Sequence, residues 1–402
     1  MTRTSEPMPR VLMVVENLPV PFDRRVWLEA TTLRSNGYHV SVICPKGKGH
    51  DAEYEVLDGV HIYRHDLPLE GRGLLGYVRE YATALYWEFR LAGRVWREQG
   101  FDVIHICNPP DVLFLLAGWY KLTRSVRVVF DHHDANPELF IEKFGRRGPL
   151  YAVLRALERW TMRTADIVIS TNESYRRIAL ERGGKSEAEV FVVRSAPAIE
   201  RFRRLPLNEE HRFGHRYLVG YVGIMAEQDG VEYLVRAAHE IVRVQGREDV
   251  GFLLIGGGTS APRLQALASE LGLDGHVRFA GYKSGEELLE LLSAVDVAVA
   301  PDPISPYNDI CTMNKVLEYM ALGIPVVQFE LKEGRESAGD AAVYVPENDH
   351  RLMAAAILRL LEDDEARARM GRAGRERMEC QLAWEHQAPR LLEAYGALAR
   401  VR

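Results

Sequence analysis

Short runs rich in β-branched residues alternate with longer segments of helical periodicity along the whole chain. The runs VLMVV (11–15), HVSVIC (39–44), DVIHIC (102–107), VRVVF (126–130), DIVIS (166–170) and VFVV (190–193) are too short for helices and nearly all apolar. They predict strands covered on both faces. Helical patterns intervene at Arg24 to Asn36, closed by Gly37, at about Leu74 to Gln99, Pro110 to Leu122 and Leu150 to Thr164, and at Glu173 to Arg182, closed by Gly183. After an aperiodic, charged stretch (194–216) read as a linker, a second series begins. Its strands are YLVGYV (217–222), VGFLLIG (250–256), HVRFAG (276–281), DVAVAP (296–301), PVVQF (325–329) and AVYV (342–345), with helices at about Gly230 to Val244, Ala261 to Leu271, Gly285 to Ala294 and Met313 to Leu322. The tail from about Arg351 is helical. This alternation predicts an α/β protein of two doubly wound, Rossmann-like halves of about 200 residues each.

Composition narrows the function classes. The chain has 402 residues, 47% hydrophobic and 27% charged, with a net charge of −6. Such a balance is that of a folded globular protein. Residues 1–200 carry 27 Lys and Arg against 26 Asp and Glu, and residues 201–402 carry 24 against 31, so nucleic acid is not an expected partner. One local exception spans 143–163, where Lys143, Arg146, Arg147, Arg155, Arg159 and Arg163 lie among Phe144, Leu150, Leu154, Leu157 and Trp160. That pattern allows either a solvated helix face or a peripheral contact with anionic lipid. Cys44, Cys107, Cys311 and Cys380 show no zinc or disulfide spacing, which points to a reducing compartment. No stretch approaches 18 uninterrupted apolar residues and MTRTSEPMPR lacks the apolar core of a secretory signal. The expected location is cytoplasmic, with docking at the inner face of a membrane a further option.

Ligands of open parallel sheets settle beyond the carboxyl ends of the strands, so the chemistry is expected in those loops. The segment NDICTMNKVLEYMALGIPVV (308–327) places Lys315 near the start of a helix, where a cation opposes the dipole unless an anion accompanies it. Backbone N–H groups there, Lys315 and Glu318 one turn on would suit the phosphates and ribose of a nucleotide. In DHHDANPE (131–138) the adjacent His132 and His133 diverge, so they do not form a closed metal site by themselves. Asp23 is the expected N-cap of the first helix, with Arg24 and Arg25 either facing a ligand or paired with Glu29. The glycines 256–258 permit close backbone approach to a ligand.

GYVG (220–223), DGVEYLVRAA (229–238), FLLIGGG (252–258), VRFAGY (277–282) and above all KVLEYMALGIPVV (315–327) resemble the donor domain of family 4 retaining glycosyltransferases of the GT-B fold. FDRRVWLEATTLRSNGYHVSVICPKG (22–47) and VVFDHHDANPELF (128–140) stand where that family builds its acceptor domain. The resemblance implies two Rossmann-like domains facing across a cleft: an acceptor domain over 1–200, a donor domain over 201–380, and a helix at 381–402 packing back on the first. It also implies a nucleotide-sugar donor, an acceptor that is a lipid-linked glycan precursor or a small metabolite, and no metal or other cofactor. By that likeness His133, with His132 second, touches the donor sugar. Glu318 binds the ribose, the backbone of Cys311, Thr312, Met313 and Asn314 holds sugar and phosphates, Gly223, Gly256 and Gly257 line the donor, and Tyr282 lies by the base. Asp23, Arg24, Arg25 and His132 fall on the acceptor side.

Two departures stand out. The first glutamate of the family's Glu-x7-Glu motif falls at Ile310, with Asp309 one place off, and the loop Gly-Arg-Leu-x-x-x-Lys-Gly is here GIMAEQDG, with Ile224 and Asp229 at the cationic positions. A departing diphosphate needs positive charge, and Lys315 at the helix start is the residue expected to supply it. Rival readings are a nucleotide-sugar epimerase of the same fold and a noncatalytic nucleotide-sugar-binding protein. A dehydrogenase is disfavoured, because no Gly-x-Gly-x-x-Gly follows the first strand.

Overall fold

A computed structural model describes residues 9–66, 73–145 and 147–398. Arg146 of the basic segment lies outside them. The chain divides into two units, Met1–Arg194 with Gln387–Arg402, and Ser195–His386. The division therefore falls at Arg194 rather than at residue 200, and within the tail at His386 rather than at 380.

The first unit holds strands β1 (Arg10–Val14), β2 (His39–Pro45), β3 (Tyr54–Leu57), β4 (Val60–His65), β5 (Val103–Cys107), β6 (Arg127–His132), β7 (Ile167–Ser170) and β8 (Val190–Val192). Its helices are α1 (Arg24–Ser35), α2 (Gly73–Glu98), α3 (Phe114–Arg124), α4 (Asn136–Phe144), α5 (Pro149–Thr164) and α6 (Glu173–Glu181). The sheet runs β3-β4-β2-β1-β5-β6-β7-β8, and only the edge pair β3–β4 is antiparallel. This hairpin is absent from the sequence-based reading. Its signal is Asp58-Gly59, both at positive φ, the two-residue turn that matches strand twist. Helix α3 starts at Phe114, later than the expected Pro110.

The second unit holds β9 (Tyr217–Ile224), β10 (Val250–Gly257), β11 (Val277–Gly281), β12 (Val297–Ala300), β13 (Val326–Phe329) and β14 (Ala342–Val345). Its helices are α7 (Val231–His239), α8 (Ala261–Glu270), α9 (Gly285–Ser293), α10 (Asn314–Ala321), α11 (Lys332–Ala338), α12 (His350–Leu361) and α13 (Asp364–Arg377). A last helix, α14 (Trp384–Leu398), begins in the second unit and continues into the first. All six strands are parallel in the order β11-β10-β9-β12-β13-β14. The apolar runs are buried because helices cover both faces. Val219, Phe252 and Val299 pack on one side, and Leu218, Leu253 and Ala298 on the other. Each of these valine, leucine and phenylalanine side chains contributes about 1.5–3 kcal/mol when fully buried.

The stretch read as a linker is not free. Arg212 pairs with both oxygens of Asp296 at 2.9 Å, the Leu205 N–H donates to Ser293 Oγ at 2.9 Å, and Arg204 donates to the Val295 carbonyl at 2.9 Å. Two of its charges, Arg204 and Arg212, thus have fixed partners within the second unit. Beyond the amino ends of β12 and β13, a cavity of about 510 Å³ is lined by Arg204, Arg367, Arg372 and Arg375. Arg375 donates to the Phe202 carbonyl at 2.7 Å and caps Ala321 at the end of α10, while Arg367 caps Leu360 and Leu361 at the end of α12. These cations answer helix carboxyl ends, which carry partial negative charge.

Both sheets reverse direction of growth beside their first strand, between β1 and β5 in one unit and between β9 and β12 in the other. The loops at those two points are the places where a ligand fits between diverging connections.

Candidate active site

In the second unit the reversal point gathers the loop after β9, the loop after β12 and the start of α10. Met313 is the N-cap of α10 and makes no side-chain capping bond. Lys315 Nζ lies 2.7 Å from Asp302 Oδ1, 3.7 Å from Asp229 Oδ1 and 5.2 Å from the centre of the Tyr221 ring, with a side chain only 10% exposed. Burial works against its charge, yet Asp302 and Asp229 prevail and hold its pKa above the ordinary lysine value. Two carboxylates of the protein thus accompany the lysine, which corrects the expectation of a cation awaiting only a ligand. Asp302 Oδ2 is buried and has no hydrogen-bond partner among the described residues. Burial, with Asp302 second among the groups that act in the same direction, raises Asp229, while Lys315 lowers it.

Of the residues expected near the donor, Gly223 and Gly256 are placed by sterics. Gly256 has φ +129°, and a Cβ on it would stand 1.9 Å from the Gly223 carbonyl oxygen. Gly223 has φ +153°, with Tyr221 Oη and the Lys315 side chain beside its open position. Gly256→Ala is therefore expected to lower the melting temperature by several degrees at least, since positive-φ strain alone costs about 1–3 kcal/mol before the clash is counted. Thermal unfolding of that variant checks this. Gly257 meets no such neighbour. Tyr282 follows β11 and is 60% exposed, while Cys311, Thr312, Met313 and Glu318 are half-buried and Asn314 is exposed. Asp309, one place from the missing glutamate, accepts the Lys332 N–H at 2.8 Å at the start of α11. Its carboxylate serves a helix end.

In the first unit, α1 begins as expected, with Asp23 accepting the Val26 N–H at 3.1 Å. Arg24 is exposed. Arg25 faces the core, which corrects its assignment to an acceptor surface. Its guanidinium reaches Asp131 through Nε at 2.8 Å and Nη2 at 2.6 Å, Glu29 at 3.1 Å and the Val193 carbonyl at 2.8 Å. Burial opposes ionisation of Asp131, but Arg25 and then His133 hold it well below the usual carboxylate range. Glu29 goes the other way, raised by burial and by Asp131.

The two histidines part as strand alternation requires. His132 is fully buried between Phe130 and Tyr175, with ring centres 5.4 and 4.7 Å away, and burial followed by Arg182 lowers its pKa to about 3. It is a neutral core residue, not a ligand contact. His133 is half-buried at the end of β6; its Nε2 makes a close hydrogen bond with Asp131 Oδ2 and lies 3.1 Å from Arg25 Nε. Asn108 clamps the loop, its Oδ1 accepting the N–H groups of His133 at 2.7 Å and Asp134 at 3.2 Å. Asp131 and Asn108 went unrecognised in the sequence, although both stand at strand ends beside the expected loops.

His105, Cys107 and Asp131 bring one ligand atom each within 4.8 Å of one another, all buried. Their chemistry favours a charge network over a cation site. Both oxygens of Asp131 already face the Arg25 guanidinium, and burial and then Asp131 push the Cys107 thiol well up, away from the thiolate a metal takes. His105 Nδ1 is paired with Tyr395 Oη at 2.8 Å.

Just beyond β1, at this unit's reversal point, Glu16 is buried, as is Glu88 on α2. Burial followed by Glu80 raises Glu16 to about 7, and burial followed by Glu16 raises Glu88 to about 8. A raised carboxyl binds more protons folded than unfolded, so stability falls as pH climbs from about 4.5 towards 8. Glu88→Gln is expected to remove much of that slope, with the variant's melting temperature above the parent's at pH 8 and near it at pH 5. A melting-temperature series over pH tests this.

A family profile described as "Glycosyl transferase 4-like domain" matches residues 23–194, and one described as "Glycosyl transferases group 1" matches 216–363. The chain is 27% identical over 319 residues to the alpha-D-kanosaminyltransferase of Streptomyces kanamyceticus, covering 76% of this chain and 79% of that one. Among solved structures it resembles sucrose-phosphate synthase from Thermosynechococcus elongatus (TM-score 0.77, 19% identity, 98% of this chain and 100% of that one). It also resembles Anabaena Alr3699/HepE in complex with UDP-glucose (TM-score 0.70, 15% identity, 97% and 100%). With two parallel-sheet units, two matched domains covering most of its length and a transferase relative, the chain belongs to the family 4 type of glycosyltransferases with the GT-B fold.

Proposed function

We propose that this glycosyltransferase is a retaining, metal-independent enzyme that moves a sugar from a nucleoside-diphosphate donor to a hydroxyl of an acceptor. The observation that carries the reading is the seat of Lys315, at the start of α10 and at the reversal point of the second sheet, where helix N–H groups and an ammonium favour a diphosphate. The HepE complex with UDP-glucose supports a nucleotide sugar as the donor class. Asp302 aims the lysine. With ligand bound, phosphate oxygens would share that ammonium, and Glu318 would take ribose hydroxyls. Stereochemistry would be retained by front-face attack, the leaving phosphate accepting the hydroxyl proton while Lys315 and the helix end balance its charge. The first unit's part rests on His133, whose ring Asp131 orients and whose backbone Asn108 holds. The acceptor is a lipid-linked glycan precursor or a small metabolite.

The test is a thermal-shift screen of nucleoside diphosphates against their monophosphates, followed by assay of sugar transfer from the donor of the stabilising base. One diphosphate at about a hundred times its Kd should add about 2.7 kcal/mol of stability, well above its monophosphate. Equal shifts from both, or none, would remove the phosphate site. A second reading, a noncatalytic nucleotide-sugar binder, is favoured by Ile224 and Asp229 at the two positions where the family has cations, and by the two carboxylates that already answer Lys315. Donor binding without transfer to any acceptor, and without hydrolysis, would select it. Conversion of donor in the absence of acceptor would point to an epimerase.

A further inference from the structure

Helices α3 and α5 lie side by side: the rings of Phe114 and Trp160 stack with centres 6.5 Å apart, and Lys121 Nζ donates to the Thr164 carbonyl at 2.8 Å. Helix α3 buries Leu116, Ala117 and Tyr120. On its other side Leu115, Trp119 and Leu122, spaced i, i+4 and i+7, are 47%, 58% and 88% exposed. Helix α5 buries Glu158, Thr161 and Met162 and exposes Val153 (50%) and Trp160 (58%); Leu150 and Phe144 continue the exposed apolar surface at its amino end. Single exposed apolar side chains are ordinary, but seven large ones on three successive helices are not.

The charges are equally one-sided. Arg124, Arg155, Arg159 and Arg163 belong to α3 and α5 together with Lys121, which pairs with Asp166 just past α5 at 2.8 Å, and the one acidic residue of these helices, Glu158, is buried and paired with Arg182. The chain as a whole is net negative. We infer that the α3–α5 face docks on an anionic lipid bilayer, its aliphatic and indole side chains entering the headgroup boundary while the arginines meet lipid phosphates. Tryptophan and arginine both suit that depth, one by its amphipathic ring and the other by extending its charge along an apolar stem. No helix among the described residues is long and apolar enough to cross a membrane, so the contact is monotopic. A second copy of the chain is a poor occupant, because an isologous contact would set the exposed Arg159 and Arg163 against their own counterparts. The docking does not depend on the reaction proposed above.

The experiment is co-sedimentation of the full chain with phosphatidylcholine vesicles and with vesicles holding roughly 30 mol% phosphatidylglycerol, with tryptophan emission recorded in parallel. Binding to the anionic vesicles is expected to be at least about tenfold stronger, to weaken with salt and to shift emission to the blue. The double variant Trp119→Ser, Leu122→Ser should lose about tenfold or more on anionic vesicles, and Arg159→Gln, Arg163→Gln should lose the anionic preference. These side chains are exposed, so both variants should keep the parent's melting temperature and its nucleotide-induced shift. Absence of binding to anionic vesicles at low salt, equal binding to both kinds, or parent-like binding by the serine variant overturns the inference. So does a parent that binds no vesicle and doubles its mass on concentration while the serine variant stays monomeric, which would give the face to a second copy.

Discussion

Lys315→Ala should reduce sugar transfer by about 10²–10³-fold, the usual loss when one group that stabilises a leaving anion is removed. It should also lower the melting temperature, which the sequence alone did not suggest. The ammonium stands against Asp302 at 2.7 Å and Asp229 at 3.7 Å, and removing it leaves the buried Asp302 and the partly buried Asp229 without their counter-charge. Breaking a buried pair from one side costs about 3–5 kcal/mol. The double variant Lys315→Ala, Asp302→Asn separates the two effects. Stability should recover in large part, because one stranded charge is gone, while transfer stays low, because the diphosphate still lacks its cation. Melting curves and turnover measured on the same preparations decide the matter. Near-parental turnover in Lys315→Ala would sink the leaving-group role, whatever the melting temperature.

Arg25→Met should cost about 3–5 kcal/mol at neutral pH for the same reason. One guanidinium neutralises Asp131, faces Glu29 and satisfies the Val193 carbonyl, and a methionine fills its space without any of these bonds. The pH dependence carries a sign. In the parent, Asp131 is held well below the usual carboxylate range, so its contribution is present above the unfolded value of about 4 and is lost as pH falls through the depressed folded value. In the variant that carboxyl is stranded and takes up a proton more readily. The deficit should therefore shrink as pH is lowered from 7 towards 4. Denaturant unfolding of both proteins at those two pH values measures it. A deficit that does not change with pH would mean the loss is one of packing alone. His133 should lose its orientation as well, so transfer by Arg25→Met should fall further than its folded fraction explains.

The strands of both units were legible because a doubly covered parallel strand must be apolar along its length, and runs such as VLMVV and VFVV leave no other solution. The edge hairpin β3–β4 was not read, since an exposed edge strand carries alternating polar residues and only Asp58-Gly59 announces it. The same contrast holds at the site. The start of α10, the glycines at the ends of β9 and β10 and the histidine loop at the end of β6 were visible as local patterns. Asp302 as partner of Lys315, Asn108 as clamp of His133, and the burial of Arg25 were not, because each depends on which loops the sheet order brings together.

The amino-acid order by itself determined that this chain forms two parallel-sheet α/β units of the glycosyltransferase type, because period, strand composition and the KVLEYMALGIPVV segment are local properties. Only the tertiary structure decided how the charges are shared. Lys315 is answered by two carboxylates, Arg25 is a core cation, His132 is a packing residue and His133 is the one left partly exposed. Those outcomes turn on which side chains lie within a few ångströms of one another and on how little water reaches them, and neither quantity is written in the spacing of residues along the chain.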